Sequence, residues 1–334
     1  MKELLVPTAK GLYCTIGDFF IDPLRPVERA LITHAHADHA RAGHKHVLAT
    51  SETLAIMAAR YGQHHAQHVQ AISYGEDIIH HGVKVRFLPA GHIWGSAQIS
   101  VEHKSHRIIA AGDYKRRHDP TCPAFEIYPC DVFITEATFG LPVFRHPDDK
   151  DEIHKLFARI EKQPEMTTLI GCYALGKAQR LCLLLRQHGY DKPIWLHGAM
   201  TKLMELYAQN GFDFGALRQI TKDQKPPAGA IILAPPSALH DRWSQQFEPL
   251  LRVMASGWMT VRARAKQRHA NLGLIISDHA DWDELLMTIR QIQAQEVWIT
   301  HGREEALLRA CALMGQPARP LHLVGYTDED DEVT

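Results

Sequence analysis

Four potential metal ligands fall within six residues, His34, His36, Asp38 and His39, directly after the apolar run Ala30-Leu31-Ile32. Residues two apart on an extended or tightly turning backbone project the same way, so His34 and His36 can share one ion while Asp38 and His39 face a second. Borderline-soft ions such as zinc accept imidazole and carboxylate together. Two protein ligands per ion are too few, so the fold must bring others to the same place, and rigid strand ends are where a sheet can present them. Three residues stand at such positions: His92 in Pro89-Ala90-Gly91-His92, Asp113 in Gly112-Asp113-Tyr114, and His301 in Thr300-His301-Gly302.

Short β-branched runs alternate with amphipathic stretches, which predicts an α/β protein. Strands are expected at 84–89, 98–102, 107–111, 131–135, 167–173, 193–197, 230–234, 273–277, 296–300 and 320–324. Leu54, Met57, Ala58 and Tyr61 make one apolar helix face, as do Ile153, Leu156, Phe157 and Ile160. Further helices are expected at 177–188, 201–209, 282–293 and 304–314. The early strands follow one another with little helix between them, whereas 150–235 reads strand-helix-strand-helix-strand, so a parallel α/β segment is expected as a separate sub-structure. Joins are expected at 141–151 and 235–257.

The chain has 334 residues, 45% of them hydrophobic and 22% charged, which excludes disorder and coiled coil. No apolar run reaches the roughly 20 residues of a membrane helix, and MKELLVPTAKGLYC lacks a secretory layout, so a cytoplasmic protein without a membrane partner is expected. The six cysteines form no C-x-x-C pair and read as reduced, mostly buried thiols. Of the 23 histidines, His64, His65 and His68 read as an exposed helix or loop, and His44, His46, His80, His81, His103, His106, His118 and His154 as surface residues.

A net charge of −1 argues at first against a nucleic-acid partner, but it turns positive once the five acids of 328–332 are set aside. The densest positive segment holds Arg262, Arg264, Lys266 and Arg268, whose alternate spacing would line them on one strand face as a ladder for a phosphate backbone. Lys115 and Arg116 adjoin Asp113, and Gly176-Lys177 at a predicted helix start could cradle a phosphate.

The order His34-x-His36-x-Asp38-His39, then Gly91-His92, Gly112-Asp113 and the late His301, resembles the binuclear site of the metallo-β-lactamase superfamily. The resemblance implies His34, His36 and His92 on one ion, Asp38, His39 and His301 on the other, and Asp113 bridging. Glu136 in Ile134-Thr135-Glu136-Ala137-Thr138, Ser277-Asp278-His279, and Ala174-Leu175-Gly176-Lys177-Ala178-Gln179-Arg180 are similar to motifs of the β-CASP nucleases. Gly17-Asp18-Phe19-Phe20-Ile21-Asp22-Pro23, Gly112-Asp113-Tyr114-Lys115-Arg116 and Ser277-Asp278-His279-Ala280-Asp281-Trp282 look like the bacterial DNA-ligase-associated exonucleases, a likeness spanning nearly the whole chain. An αββα sandwich over 1–145 and 261–327, interrupted by a β-CASP cap at 146–260 and followed by an acidic mobile tail at 328–334, is what this implies. The early family Asp is missing at its usual distance; Asp22, or failing it Asp18, is the equivalent, and neither is placed among the metal ligands.

The resemblance further implies two divalent ions, zinc or else manganese, activating water for attack on DNA, single-stranded or with free ends, in repair alongside a DNA ligase and helicase. Asp38 would orient the water, His279 would act as general acid, and Glu136 would hold its imidazole. Lys115, Arg116, Lys177 and Arg180 join the 262–268 cations as substrate-binding residues. An RNA-processing nuclease of the same fold is the nearest alternative, favoured by His301. A small-molecule thioesterase or lactamase would need neither the insertion nor the cations, and a dead scaffold fits poorly with intact Asp38, His39, Asp113 and His301.

Overall fold

The computed structural model describes residues 3–261, 263–264, 269–302 and 304–322, and the statements below concern these. The chain forms two compact units: residues up to Pro142 together with those from His279 onward, and Val143–Asp278.

The first unit opens with β1 (Leu5–Thr8), β2 (Gly11–Cys14), β3 (Phe19–Ile21), β4 (Arg29–Leu31), β5 (His44–Ala49), α1 (Ser51–Tyr61) and β6 (Ala66–Ala71). The six strands make one sheet in chain order, antiparallel to β3 and parallel from there. A second sheet follows with β7 (Asp77–His80), β8 (Val83–Pro89), β9 (Ala97–His103), β10 (His106–Ala110) and β11 (Val132–Ala137). In β8 and β9 the side chains pointing to one face (Val83, Val85, Phe87, Ile99, Val101) join Leu12, Phe19 and Ile21 of the first sheet in one core, so the two sheets are stacked layers.

The second unit runs α2 (Asp149–Glu161), β12 (Thr167–Gly171), α3 (Lys177–Gln187), β13 (Ile194–Leu196), α4 (Gly198–Gln209), β14 (Leu217–Gln219), β15 (Ile231–Ala234), β16 (Leu250–Ala255) and β17 (Leu272–Leu274). Its sheet is parallel throughout, ordered β14-β13-β15-β12-β16-β17. Every residue of β12 and β15 is buried, as expected when both faces of a parallel sheet are covered. Two expectations are corrected here. The 235–257 stretch is no plain join, because it carries β16, whose apolar run is interrupted by Arg252 bonding to Leu239 O at 2.9 Å. The second unit also extends past the expected end at residue 260 to Asp278, where β17 pairs with β16.

Back in the first unit, α5 (Trp282–Ile292), β18 (Glu296–Gly302), α6 (Glu304–Leu313) and β19 (Ala318–Pro320) complete the chain. The second sheet then reads β19-β18-β11-β10-β9-β8-β7. β19 begins two residues before the expected 320–324, of which 323 and 324 lie outside the described residues. Trp282, Leu285, Ile289, Leu307 and Cys311 pack with Ile109, Phe133, Val297 and Ile299 on the far face of this sheet. With α1 adjoining the first sheet, the layers are those of an αββα sandwich. The six cysteines are free thiols, four of them buried.

A capping box starts α5: Asp281 accepts from Glu284 N at 2.9 Å and Glu284 accepts from Asp281 N. Arg117 ties to both carboxylates, at 2.9 and 3.0 Å. Asp281→Ala should lower the unfolding free energy by about 1–2 kcal/mol in urea titration, and Asp281→Asn, which keeps the capping oxygen, should lose less.

Candidate metal centre and catalytic pair

β4 ends at Leu31 and the chain turns through the His34–His39 loop, which Asp22 organises from below. The Asp22 carboxylate accepts from Thr33 N at 2.8 Å and from Thr33 Oγ1 at 2.6 Å, and pairs with His39 Nδ1 at 2.7 Å. Fixing Nδ1 in this way aims Nε2 of His39 toward the centre. Asp22 sits at φ 44°, in the left-handed region that L side chains seldom adopt, and is buried. Sequence reasoning marked its position without finding this role; Asp18 is exposed and bonded to Tyr13 Oη at 2.8 Å.

His92 is placed by a turn in which Ser96 Oγ accepts from His92 N at 3.1 Å and Ile93 N at 3.2 Å. The turn depends on Gly91: at φ 73°, an added Cβ would stand 2.4 Å from Lys115 O. Asp113 follows β10, and His301 projects from the end of β18 at φ 55°. Glu136 lies where the β11–β18 register shifts between Thr135 and Ala137, an irregularity of the kind that re-aims a side chain.

These residues converge. His36 Nδ1 lies 3.1 Å from His34 Nε2 and 2.9 Å from His92 Nε2. Asp113 Oδ2 lies 3.4 Å from His34 Nε2, 3.4 Å from His39 Nε2 and 3.8 Å from His92 Nε2. Three groups of ligand atoms form, each within 4.8 Å: His34, His36, His92 and Asp113; His39, Asp113 and His301; and Asp113, Glu136 and His279. Three ring nitrogens facing one another cannot all be satisfied by one another's protons, whereas a divalent cation accepts all their lone pairs. The donor set therefore fits divalent metal. Asp38 is buried, with Oδ2 3.5 Å from His39 Nε2, and belongs to none of the three groups.

The electrostatics agree. Burial, reinforced by His39, pulls His34 well below the usual imidazole range, and burial with His39 pulls His301 down to about 3, so both are neutral donors at pH 7. Burial alone would raise the Asp113 carboxyl, but His39 and His279 beside it hold it well below the usual range. His39 differs: burial is outweighed by Asp113 and Asp38, which hold the ring well above its usual value, so a cation binding there must displace its proton.

His279 Nδ1 meets Glu136 Oε2 at 2.9 Å, and Glu136 Oε1 accepts from Tyr114 N at 2.8 Å. The His279 ring lies 4.7 Å from that of His92. A carboxylate on Nδ1 fixes the proton there and turns Nε2 to the reacting side.

The expected substrate cations fare differently. Lys115 is fully buried against Asp119, which also accepts from Thr121 N at 2.7 Å. Arg116 bonds Thr288 Oγ1 at 2.9 Å and Gln291 Oε1 at 2.7 Å. Lys177 pairs with Asp278 at 2.9 Å and donates to Ile276 O at 3.0 Å, and Arg180 is enclosed by Asp278, Asp149 and Ser277 O. A phosphate would have to displace these partners, so Lys115, Lys177 and Arg180 act as internal struts. Ala263 and Arg264 are helical, which contradicts the strand ladder, and Arg264 stacks 3.9 Å over Trp258; Arg262, Lys266 and Arg268 lie outside the described residues. His68, expected on a helix or loop, is on β6, and His65 and His44 are buried rather than surface residues.

Comparison with known proteins is consistent with this site. Residues 270–318 match the family described as "Zn-dependent metallo-hydrolase RNA specificity domain". A "Probable DNA ligase" of Opitutus terrae is 28% identical over 89% of this chain, and an "RNase J-like protein" of Methanocaldococcus jannaschii is 26% identical over 70%. The chain spans 29% and 61% of those two proteins' lengths. "Endoribonuclease YSH1" of Mycosarcoma maydis is 28% identical over 55% of this chain and 26% of its own length. A crystal structure of a protein of unknown function from Enterococcus faecalis V583 shares the fold, with a TM-score of 0.57 at 14% identity over 82% of this chain and 75% of that one.

His36→Ala removes the nitrogen that faces two others and should weaken zinc binding by more than the roughly 10–100-fold typical of losing an outer-shell partner, measured by dialysis and metal analysis. Arg180→Met leaves Asp278 and Asp149 without their buried guanidinium and should cost about 3–5 kcal/mol in urea unfolding.

Proposed function

The chain belongs to the metallo-β-lactamase superfamily, in its β-CASP nuclease group, and from that premise we propose a divalent-metal nuclease that hydrolyses DNA phosphodiester bonds as an exonuclease in repair. The observation that carries this reading is the sharing of Asp113 by both metal-ligand groups and by the His279–Glu136 pair, which puts ligands and a proton donor around one spot. His34, His36 and His92 would hold one ion, and Asp38, His39 and His301 the other, with Asp113 between them. Two zinc or manganese ions bound there would supply Lewis acidity and neutralise charge on the phosphate. Asp38 orients the attacking water and accepts its proton. His279, held by Glu136 on Nδ1, donates from Nε2 to the departing 3′ oxygen.

The choice of DNA leans on similarity along most of the chain to a protein whose name is that of a DNA ligase. A second reading, RNA cleavage, is favoured by the match to an RNA specificity domain at 270–318 and by relatives named for RNA processing. Matched DNA and RNA strands labelled at the 5′ or the 3′ end, digested with each metal, separate the two: stepwise loss of labelled DNA nucleotides is expected, and cleavage of RNA with inert DNA would reverse the choice. Asp38→Ala should abolish cleavage, and His279→Ala should slow it by about 10²–10⁴ in single-turnover assays while metal content is kept. Wild-type rates in either variant would remove the assigned role.

A further inference from the structure

Away from the metal centre, the first unit contains a cavity of about 430 Å³ between β4, β5 and β6 of one sheet and β7 and β8 of the other. β4 lines it along its whole length, Arg29, Ala30 and Leu31, and none of the residues assigned to metal is in its lining. Its rim is a ladder in register: Arg29 pairs with His46 across β4 and β5, and His46 with His68 across β5 and β6. One step inward on the same face, Leu31 pairs with Leu48 and Leu48 with Gln70. Ile78 and Val85 face them from the second sheet, and His80 joins the rim.

The rim is open to solvent, with His68 and Gln70 exposed and Arg29 and His46 half-buried, and on this one face three adjacent strands present Arg, His and His. The His46 and His68 rings stack at 4.7 Å with 20° between planes, and His80 stacks on His81 at 4.1 Å. Among the described residues the Arg29 side chain forms no hydrogen bond or ion pair. The nearby Glu28 carboxylate is taken by Lys45 at 2.9 Å and stands 3.9 Å from His46. Burial, then Arg29 and His68, lower the His46 imidazole below its usual range, and burial, then His81 and Arg29, do the same for His80. Arg29 therefore supplies the fixed charge of the lining, above a floor of aliphatic side chains. The volume is that of a small-molecule site.

We propose that this cavity binds an amphipathic organic anion, with a carboxylate or phosphate-ester head on Arg29 and the His46–His68 pair and a compact apolar body on Leu31, Leu48, Ile78 and Val85. A guanidinium fork matches either oxyanion, and the aliphatic floor selects against inorganic ions and highly charged metabolites.

Isothermal titration of the metal-loaded full chain tests this with octanoate and octyl phosphate, which share a tail and differ in head, and with acetate, inorganic phosphate and 1-octanol, which lack one part. At least one of the two amphiphiles should bind at sub-millimolar concentration, with acetate, phosphate and octanol each at least tenfold weaker. Arg29→Gln should weaken the bound amphiphile at least tenfold while metal content and thermal unfolding stay as in the parent, and His46→Gln should weaken it less. The proposal is overturned if neither amphiphile binds, if octanol or the matching short anion binds as well as the amphiphile that does bind, or if a folded Arg29→Gln chain binds that amphiphile unchanged. None of these outcomes bears on nuclease activity.

Discussion

A single buried carboxylate organises this protein's chemistry. Asp113 stands within 3.4–3.8 Å of ring nitrogens from His34, His39 and His92, and belongs as well to the group containing Glu136 and His279. Such a charge survives burial only because cationic or metal partners surround it. Everything that fixes those partners is therefore part of the site: Asp22 beneath His39, Ser96 beneath the His92 turn, Glu136 behind His279.

The sandwich supplies the rigidity. The converging residues follow or end β4, β8, β10 and β18, strands whose buried apolar side chains belong to two cores, one between the sheets and one under α5 and α6. Two close approaches bring the loops together: Gly91 against Lys115 O, and Gly112, whose added Cβ would lie 2.9 Å from Thr33. Small residues there let backbones meet where bulk would push the ligands apart.

The residues that converge on Asp113 were legible because they are local or stand at recognisable strand ends. His34 to His39 are one loop, and His92, Asp113 and His301 each follow a β-branched run. The central strands of both units were legible for the same reason. The early strands β1 to β6 were not, being short and carrying polar residues such as Arg29, His46 and His68 on faces that an alternation rule assigns to solvent. Burial of charge is the other blind spot. Lys177 and Arg180 look like phosphate ligands in sequence, and only the fold reveals Asp278 and Asp149 paired with them. β16 was hidden by Arg252 within its apolar run.

The proposed chemistry depends on two ions sharing Asp113. The most direct measurement is a crystal structure of the manganese-loaded chain with anomalous scattering collected at the metal edge. It should give two peaks about 3.5–4 Å apart, one against His34, His36 and His92, the other against Asp38, His39 and His301, with Asp113 touching both. A single peak at saturating manganese, or two peaks with Asp113 turned away from either, would contradict it.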